Sequence, residues 1–175
     1  MTTLVPYLVL ASHIIFVFLV LTVIFRRSWG GGLIAFIGKQ ALWLAFLASL
    51  VAVVGSLFYS EVIGFEPCVL CWWQRVFLYP LVVIFGMALW KKNNSAFLYA
   101  VPLALLASLV SLYQHYASVS GVSLLSCTAV GEACSKLYVL AFGYITIPLM
   151  GLTIGLYILL FAWVSKIYRN ENSNA

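Results

Sequence analysis

Five long apolar runs dominate the sequence and constrain its fold more than any other feature. A helix needs about 20 apolar residues to cross the hydrocarbon of a bilayer. The hydrophobicity of each run is continuous rather than alternating, which favours helices over the strands of a membrane barrel. The predicted spans are approximately 4–25, 40–59, 71–90, 97–116 and 138–164.

Charged residues are too scarce to cover a water-soluble domain of this size. Only 7% of the 175 residues are charged, whereas a soluble domain carries about 25%. The nine Lys and Arg residues are scattered singly and in pairs between the apolar runs. This distribution indicates membrane topology rather than nucleic-acid binding. We therefore expect an all-α, polytopic membrane protein with membrane lipid around it and no nucleic-acid partner.

The first apolar run is expected to be a retained helix rather than a signal peptide. Signal peptides carry positive charge before the apolar core and a small-residue cleavage site after it. Here Arg26 and Arg27 follow the core, and no A-x-A motif appears. The stretch 33–38 is apolar but too short to cross, so it is expected to lie along the inner interface. The expected organisation is an N-terminal transmembrane helix with an inner turn in 1–30, four further transmembrane helices in 31–169, and a disordered polar tail in 170–175.

The basic residues set the predicted orientation, because cytoplasmic loops are enriched in Lys and Arg. Two basic residues, Arg75 and Lys136, fall on the other side. The chain should therefore sit in a bacterial cytoplasmic (inner) membrane with its C-terminus in the cytoplasm. Both cysteine pairs then lie on the periplasmic or extracytoplasmic side, where disulfides form and persist. The seven basic residues assigned to the cytoplasmic side are Arg26, Arg27, Lys39, Lys91, Lys92, Lys166 and Arg169.

The stretch PCVLCWWQR, which begins at Pro67, carries the first cysteine pair. Proline favours the first turn of a helix, and a helix from here would place Cys68, Cys71 and Arg75 on one face. The helix N-terminus and the arginine charge both favour the thiolate, which is the reactive form in disulfide exchange. The alternatives are a static disulfide or two buried thiols, with an arginine that reaches lipid phosphates. The setting at a membrane boundary favours a redox-active pair.

The second pair, Cys127 and Cys134, lies in a polar loop at 117–136 and encloses six residues. A disulfide there would close a small loop within reach of another protein, although it could also be a static staple. Two pairs on the same side suggest an electron relay. One pair would exchange with a soluble partner, and the other would pass the electrons into the membrane.

The final acceptor is expected to be a quinone dissolved in the bilayer. The sequence contains no dinucleotide, haem-attachment or iron–sulfur motif. A quinone would dock beside Cys71 and Arg75, where the cation could polarise a carbonyl oxygen.

Two histidines occur in the apolar runs. His115, in YQH, shares a predicted helix face with Ser108 and Ser111. It is either a hydrogen-bonded interfacial residue or a second contact, or proton donor, to the same acceptor. His13 is expected to be a packing or polar-contact residue.

Taken together, PCVLCWWQR followed by YP, then YQH, the second cysteine pair and FGYITIP resemble the DsbB family of disulfide bond formation proteins, nearest to its BdbC-type branch. The resemblance covers approximately residues 40–165. It implies a four-helix membrane thiol oxidase that reoxidises a thioredoxin-like, DsbA-type oxidant and passes the electrons to ubiquinone or menaquinone.

The same resemblance implies a role for each site residue. Cys71 would meet the quinone with Cys68 as its disulfide partner, and the other quinone-site residues would be Arg75 and His115. Cys127 and Cys134 would exchange with the soluble partner, with the mixed disulfide on Cys127. Two features depart from the family: the best-known members separate the loop cysteines widely, and the four-helix core does not need the first span.

Three other functions fit the residues less well. A membrane thiol–disulfide carrier that runs in the reducing direction would favour cysteines within the spans. A structural zinc site favours two short C-x2–4-C arms in a reduced compartment, so we expect no metal site. A transporter would show repeats or polar groups at mid-membrane.

Overall fold

The computed structural model describes residues 4–26, 31–93, 95–121 and 139–173. Within these ranges the chain forms five long helices, each long and apolar enough to cross a membrane. In lipid a helix satisfies its own backbone hydrogen bonds, which is why these apolar runs adopt it. The prediction of an all-α polytopic membrane protein is confirmed. The helices are α1 (Leu4–Ile24), α2 (Gly31–Leu57), α3 (Val69–Lys91), α4 (Ala96–Ser120) and α5 (Ile147–Ser173), and a π-helical turn at Phe58–Val62 continues α2.

Helices α2 to α5 form a four-helix bundle. Each of them packs mainly against two neighbours, in the cyclic order α2, α3, α4, α5 and back to α2. Helix α1 lies outside this ring, where it contacts α5 and α2. The first span is therefore an addition to the bundle, and most of its large apolar side chains are exposed in the way expected of a lipid-facing helix.

Small residues allow the helices of the bundle to approach closely. Phe85 and Leu81 fill the centre, and both are fully buried. On α5, Gly155 faces α4 so closely that an added Cβ atom would lie 2.2 Å from Ser108 Oγ. Interfaces of this kind are typical of membrane helices, because lipid provides no hydrophobic force to hold helices together. Buried alanines line the same core: Ala41, Ala45, Ala88, Ala100, Ala104 and Ala107.

Helix α2 begins earlier than the sequence predicted. The stretch 33–38, expected to lie along the membrane interface, forms the first turns of α2, and Ile34 and Ile37 are buried in the core. The prediction was wrong because it treated Lys39 as a boundary. Lys39 is exposed, and a lysine on the lipid-facing side of a helix can extend its ammonium group to the interface.

Helix α5 begins later and ends later than predicted. Residues 139–146 form a turn closed by the Ala141–Ile145 bridge, with Phe142 and Gly143 at φ 53° and 77°. The helix then starts at Ile147, where Thr146 Oγ1 accepts the Leu149 backbone N–H at 3.3 Å, as an N-cap residue does. At the other end, residues 170–173, assigned to a disordered tail, are helical.

Candidate active site

Two cysteine sulfurs lie side by side at the start of α3. Cys68 is the N-cap residue, and its Sγ accepts the backbone N–H of Cys71 at 3.4 Å. The two Sγ atoms are 3.1 Å apart, and both cysteines are free. A disulfide bond is about 2.05 Å long, so a small movement of the side chains would close it. The pair has the geometry of a dithiol that can form and break a disulfide.

The two sulfurs differ in environment. The hydrogen bond with Cys71 and the burial of its own side chain raise the pKa of the Cys68 thiol. The sequence predicted the opposite direction, with the helix N-terminus and Arg75 favouring the thiolate. That prediction was wrong for Cys68 because it ignored burial and the neighbouring sulfur. Either sulfur can be the donor in the Sγ–Sγ contact, and the thiol form of Cys68 is favoured by its burial.

Two buried glutamines, Gln114 on α4 and Gln74 on α3, lie next to the sulfurs in a hydrogen-bonded chain. Nε2 of Gln114 lies 3.2 Å from both Sγ atoms, and Oε1 of Gln114 accepts a hydrogen bond of 2.8 Å from Nε2 of Gln74 on α3. Sequence reasoning missed both residues. The available signal was their polarity, because an amide within an apolar span is costly unless it is hydrogen-bonded. Each glutamine also directly precedes a residue that was selected, Arg75 or His115.

Arg75 lies one turn after Cys71 and is fixed by the end of α2. Its Nε donates to Ser56 Oγ at 3.0 Å and its Nη2 to the Ser56 backbone oxygen at 3.4 Å. The guanidinium also lies 5.2 Å from the ring centroid of Trp72, which is a cation–π contact. The hydroxyl of Tyr79 donates to the same Ser56 Oγ at 3.2 Å. A guanidinium carries five N–H donors, so the two bonds to Ser56 fix it without using all of them.

A cavity of about 820 Å³ opens beside Cys71 and Arg75. Its wall is mostly apolar and includes side chains from all five helices. Cys71 is part of this wall whereas Cys68 is not. The volume lies within the range of about 300–1,000 Å³ that small-molecule sites occupy. The polar wall residues besides Cys71 and Arg75 include Ser12, Ser56, Tyr59, Gln74, Tyr79, Gln114, Thr146, Thr153 and Tyr157.

The two histidines lie next to the cavity rather than in its wall. Nδ1 of His115 is 2.8 Å from Oγ1 of Thr146, and Thr146 lines the cavity. His115 is thus tied to the first residue before α5, and a direct contact to an acceptor in the cavity stays a prediction. His13 makes the expected polar contact: its Nε2 is 2.8 Å from Oγ1 of Thr153, which also lines the cavity.

The second cysteine pair, Cys127 and Cys134, lies outside the described residues. The described chain stops at Gly121, just after α4, and resumes at Val139, before α5. Val139 lines the cavity. The role of the second pair as the exchange pair therefore stays a prediction.

Comparison with known proteins gives one family. Residues 38–168 match the model of the family described as "Disulfide bond formation protein DsbB". Over 132 residues the chain is 36% identical to disulfide bond formation protein C of Bacillus subtilis (strain 168), covering 74% of this chain and 95% of that protein. Over 119 residues it is 43% identical to a probable disulfide formation protein C 1 of Bacillus cereus (65% and 83%) and 38% identical to a probable disulfide formation protein of Chlamydia caviae (67% and 85%).

No solved structure matches the chain. The match begins about two turns after the start of α2 and ends near the end of α5, so it includes most of the four-helix bundle, both cysteine pairs, Arg75 and His115. The chain belongs to the DsbB family of disulfide bond formation proteins, in its BdbC-type branch.

Proposed function

We propose that this protein is a quinone-dependent membrane thiol oxidase that supports disulfide bond formation. It takes two electrons from a reduced thioredoxin-like, DsbA-type partner through Cys127 and Cys134. It passes them to Cys68 and Cys71 and then to a quinone in the bilayer. The relatives' names support the disulfide role. The observation that carries the quinone step is the position of the Cys71 sulfur, in the wall of a mostly apolar cavity beside Arg75.

Each exchange step breaks one disulfide and forms another. A partner thiolate attacks the Cys127–Cys134 disulfide, with the mixed disulfide on Cys127, and the partner leaves with its own disulfide. The new Cys127/Cys134 dithiol then reduces the Cys68–Cys71 disulfide in the same way. When bound, a quinone accepts two electrons and two protons and is released as the quinol, so the Cys68/Cys71 dithiol returns to the disulfide.

The cavity fits such a ligand. A quinone is a flat apolar ring with two carbonyl acceptors, and the wall offers apolar surface with a guanidinium held by Ser56. A fixed cation stabilises negative charge that develops on a nearby oxygen. Cys71 lines the cavity whereas Cys68 does not, which supports the assignment of Cys71 as the sulfur that meets the acceptor.

The placement of the cysteines on the extracytoplasmic side is also part of the proposal. Helix α3 has 23 residues, so at 1.5 Å per residue Cys68 and Lys91 are separated by about 35 Å. The two ends of α3 therefore reach opposite sides of the bilayer. The seven basic residues assigned to the cytoplasm fall on the same side of the predicted topology as Lys91, and this places Cys68 and Cys71 on the opposite side.

Quinone reduction by a reduced DsbA-type protein, measured across the four single Cys→Ser variants, tests the proposal. Cys71→Ser should abolish turnover. Arg75→Ala should raise the KM for quinone while both disulfides still form. Arg26→Ala is the matched control, because Arg26 pairs with the exposed Glu171 at the other end of the bundle. It should leave the turnover rate and the KM for quinone unchanged.

Three outcomes would contradict the proposal. The assignment of Cys71 is wrong if the Cys71→Ser protein turns over at the wild-type rate. The direction is wrong if the protein reduces an oxidised partner with quinol faster than the reverse. The orientation is wrong if a membrane-impermeant maleimide labels Cys68 and Cys71 only from the cytoplasmic side.

A further inference from the structure

The two buried glutamines form a chain of amide groups that ends on the cysteine sulfurs. Gln114 is 4% exposed and Gln74 is 9% exposed. The core of the bundle is otherwise mostly alanine and larger apolar residues. Burial removes both amides from water, and this costs free energy unless other hydrogen bonds replace those with water. Their hydrogen bonds go to each other and to the reactive pair.

The orientation of the Gln114 amide determines whether the sulfurs contact a hydrogen-bond donor or an acceptor. An amide can present either its NH2 group or its carbonyl oxygen. Because Gln74 Nε2 donates to Gln114 Oε1, the oxygen of Gln114 is held towards Gln74 and the NH2 group towards Cys68 and Cys71. Gln74 therefore orients the NH2 group of Gln114 towards the two sulfurs.

Helix α5 leaves room for this arrangement. A Cβ atom added at Gly151 would lie 3.3 Å from Gln74 Oε1 and 3.1 Å from Ser111 Oγ. Both distances are shorter than ordinary van der Waals contact, so even a methyl group would push against the Gln74 amide. The glycine at this position allows α5 to pack against the amide without turning it.

Hydrogen bonds from an amide favour one redox state of the pair over the other. A thiolate is a charged acceptor and forms strong hydrogen bonds with N–H donors, whereas the sulfurs of a disulfide are weak acceptors. A donor held against the sulfurs therefore stabilises the reduced form relative to the disulfide. A pair with a stabilised reduced form is a stronger oxidant.

We propose that Gln114, oriented by Gln74, is a positioning residue that stabilises the reduced Cys68/Cys71 pair and raises its reduction potential. The inference deepens the proposed function, on which it rests. In that relay the Cys68/Cys71 disulfide must be reduced by the Cys127/Cys134 dithiol before the electrons pass to the quinone. Neither glutamine reacts. Gln114 acts through the sulfurs, and Gln74 acts through Gln114.

The reduction potential of the pair tests this directly. In a Cys127→Ser/Cys134→Ser background, the purified protein is equilibrated with dithiothreitol or glutathione buffers of defined potential, and free thiols are trapped with a maleimide of high mass. Gln114→Leu removes the donor, and we expect the pair to become at least about tenfold harder to reduce, which corresponds to 29.6 mV. Gln114→Glu keeps the size but replaces the donor with a carboxylate, and it should shift the potential further in the same direction.

Three variants separate positioning from general packing. Gln74→Leu should give a smaller shift in the same direction, because it frees the Gln114 amide to turn. Gly151→Ala should also give a shift smaller than Gln114→Leu. Gln40→Leu makes the same chemical change on α2, near the other end of the bundle, and should leave the potential unchanged. Gln114→Glu covers the case in which the Leu variant does not fold.

The outcomes distinguish this inference from the proposed function, because the titration uses neither quinone nor a protein partner. If the wild-type pair does not titrate as a dithiol and disulfide, both proposals fail. If it titrates normally but Gln114→Leu and Gln114→Glu leave its potential unchanged, only the role of Gln114 is overturned. A shift in both Gln114 variants, with Gln40→Leu unchanged, supports the inference.

Discussion

Helix α5 uses two different kinds of contact on its two sides. Towards α4 it presents Gly151 and Gly155, which lie against Ser111 and Ser108. Towards α1 it presents Thr153 and Tyr157, which bind His13 and the backbone oxygen of Ser12. One side allows close backbone approach, and the other makes polar contacts between helices that stay farther apart.

The difference between these two contacts shows how a further helix can pack against the outside of a four-helix bundle in a membrane. Without a hydrophobic force between helices, association depends on packing, which needs small residues, or on interhelical hydrogen bonds. The α4–α5 contact uses the first and builds the core. The α1–α5 contact uses the second, together with the edge-on contact of Phe16 and Tyr157 at a ring-centroid distance of 5.2 Å. Helix α1 can therefore stay mostly exposed to lipid and still form part of the cavity wall.

The largest effect should come from the packed side. Gly155→Ala would place a Cβ atom 2.2 Å from Ser108 Oγ and 3.3 Å from the Ala104 backbone oxygen. Ser108 already donates to that oxygen at 2.8 Å, so relief requires a break in this bond or a shift of the backbone. Overpacking of this kind costs about 1–3 kcal/mol. The free energy of unfolding, measured by SDS titration in mixed micelles, should fall by that amount.

Gly55→Ala is the matched control for this experiment. An added Cβ atom at Gly55 on α2 meets nothing within 4 Å, so stability should stay the same or rise slightly, because alanine favours helices over glycine. Equal losses in the two variants would show that the α4–α5 contact is not a close-packed one.

The number of helices is the part of the fold that the sequence predicts best. Five apolar runs predict five helices, because the length needed to cross a bilayer is fixed. Their ends are harder to predict, since hydropathy alone does not separate a helix from an apolar turn. The turn before α5 depends on Gly143 and on Thr146 as N-cap, and both signals lie inside a run that reads as continuous.

The site was predictable in so far as it lies on one helix. Cys68, Cys71 and Arg75 follow from their spacing at the start of α3. Gln114 and Ser56 lie on other helices, and the sequence does not say which face of α4 or α2 meets α3. His115 illustrates the same limit, because its partner Thr146 belongs to a turn that was predicted to be helix.

The polar side of α5 should give an intermediate effect. A double-mutant cycle with His13→Leu and Thr153→Val measures the coupling between the two side chains, which lie 2.8 Å apart. Interhelical hydrogen bonds in membranes contribute about 0.6 kcal/mol on average and at most about 1.7 kcal/mol. We expect a coupling energy in this range from SDS titration.

Thr22→Val is the control for the cycle. Thr22 is also on α1, but its hydroxyl bonds to the backbone oxygens of Phe18 and Leu19 in its own helix. It should show no coupling to Thr153→Val. A His13–Thr153 coupling energy no larger than that of the control pair would mean that the polar contact does not hold α1 in place.

The smallest effect should come from Tyr157→Phe, which removes only the hydroxyl that donates to Ser12 O at 2.5 Å. The loss of about 0.6 kcal/mol is too small for an unfolding experiment, but it would raise the population of states with α1 displaced by about threefold. Because Ser12 and Tyr157 both line the cavity, a lipid-soluble maleimide should label reduced Cys71 about threefold faster. Tyr99→Phe, on the exposed face of α4, should not change the rate. Equal labelling rates in the two variants would mean that this hydrogen bond does not hold α1 against the cavity, and that packing alone closes this wall.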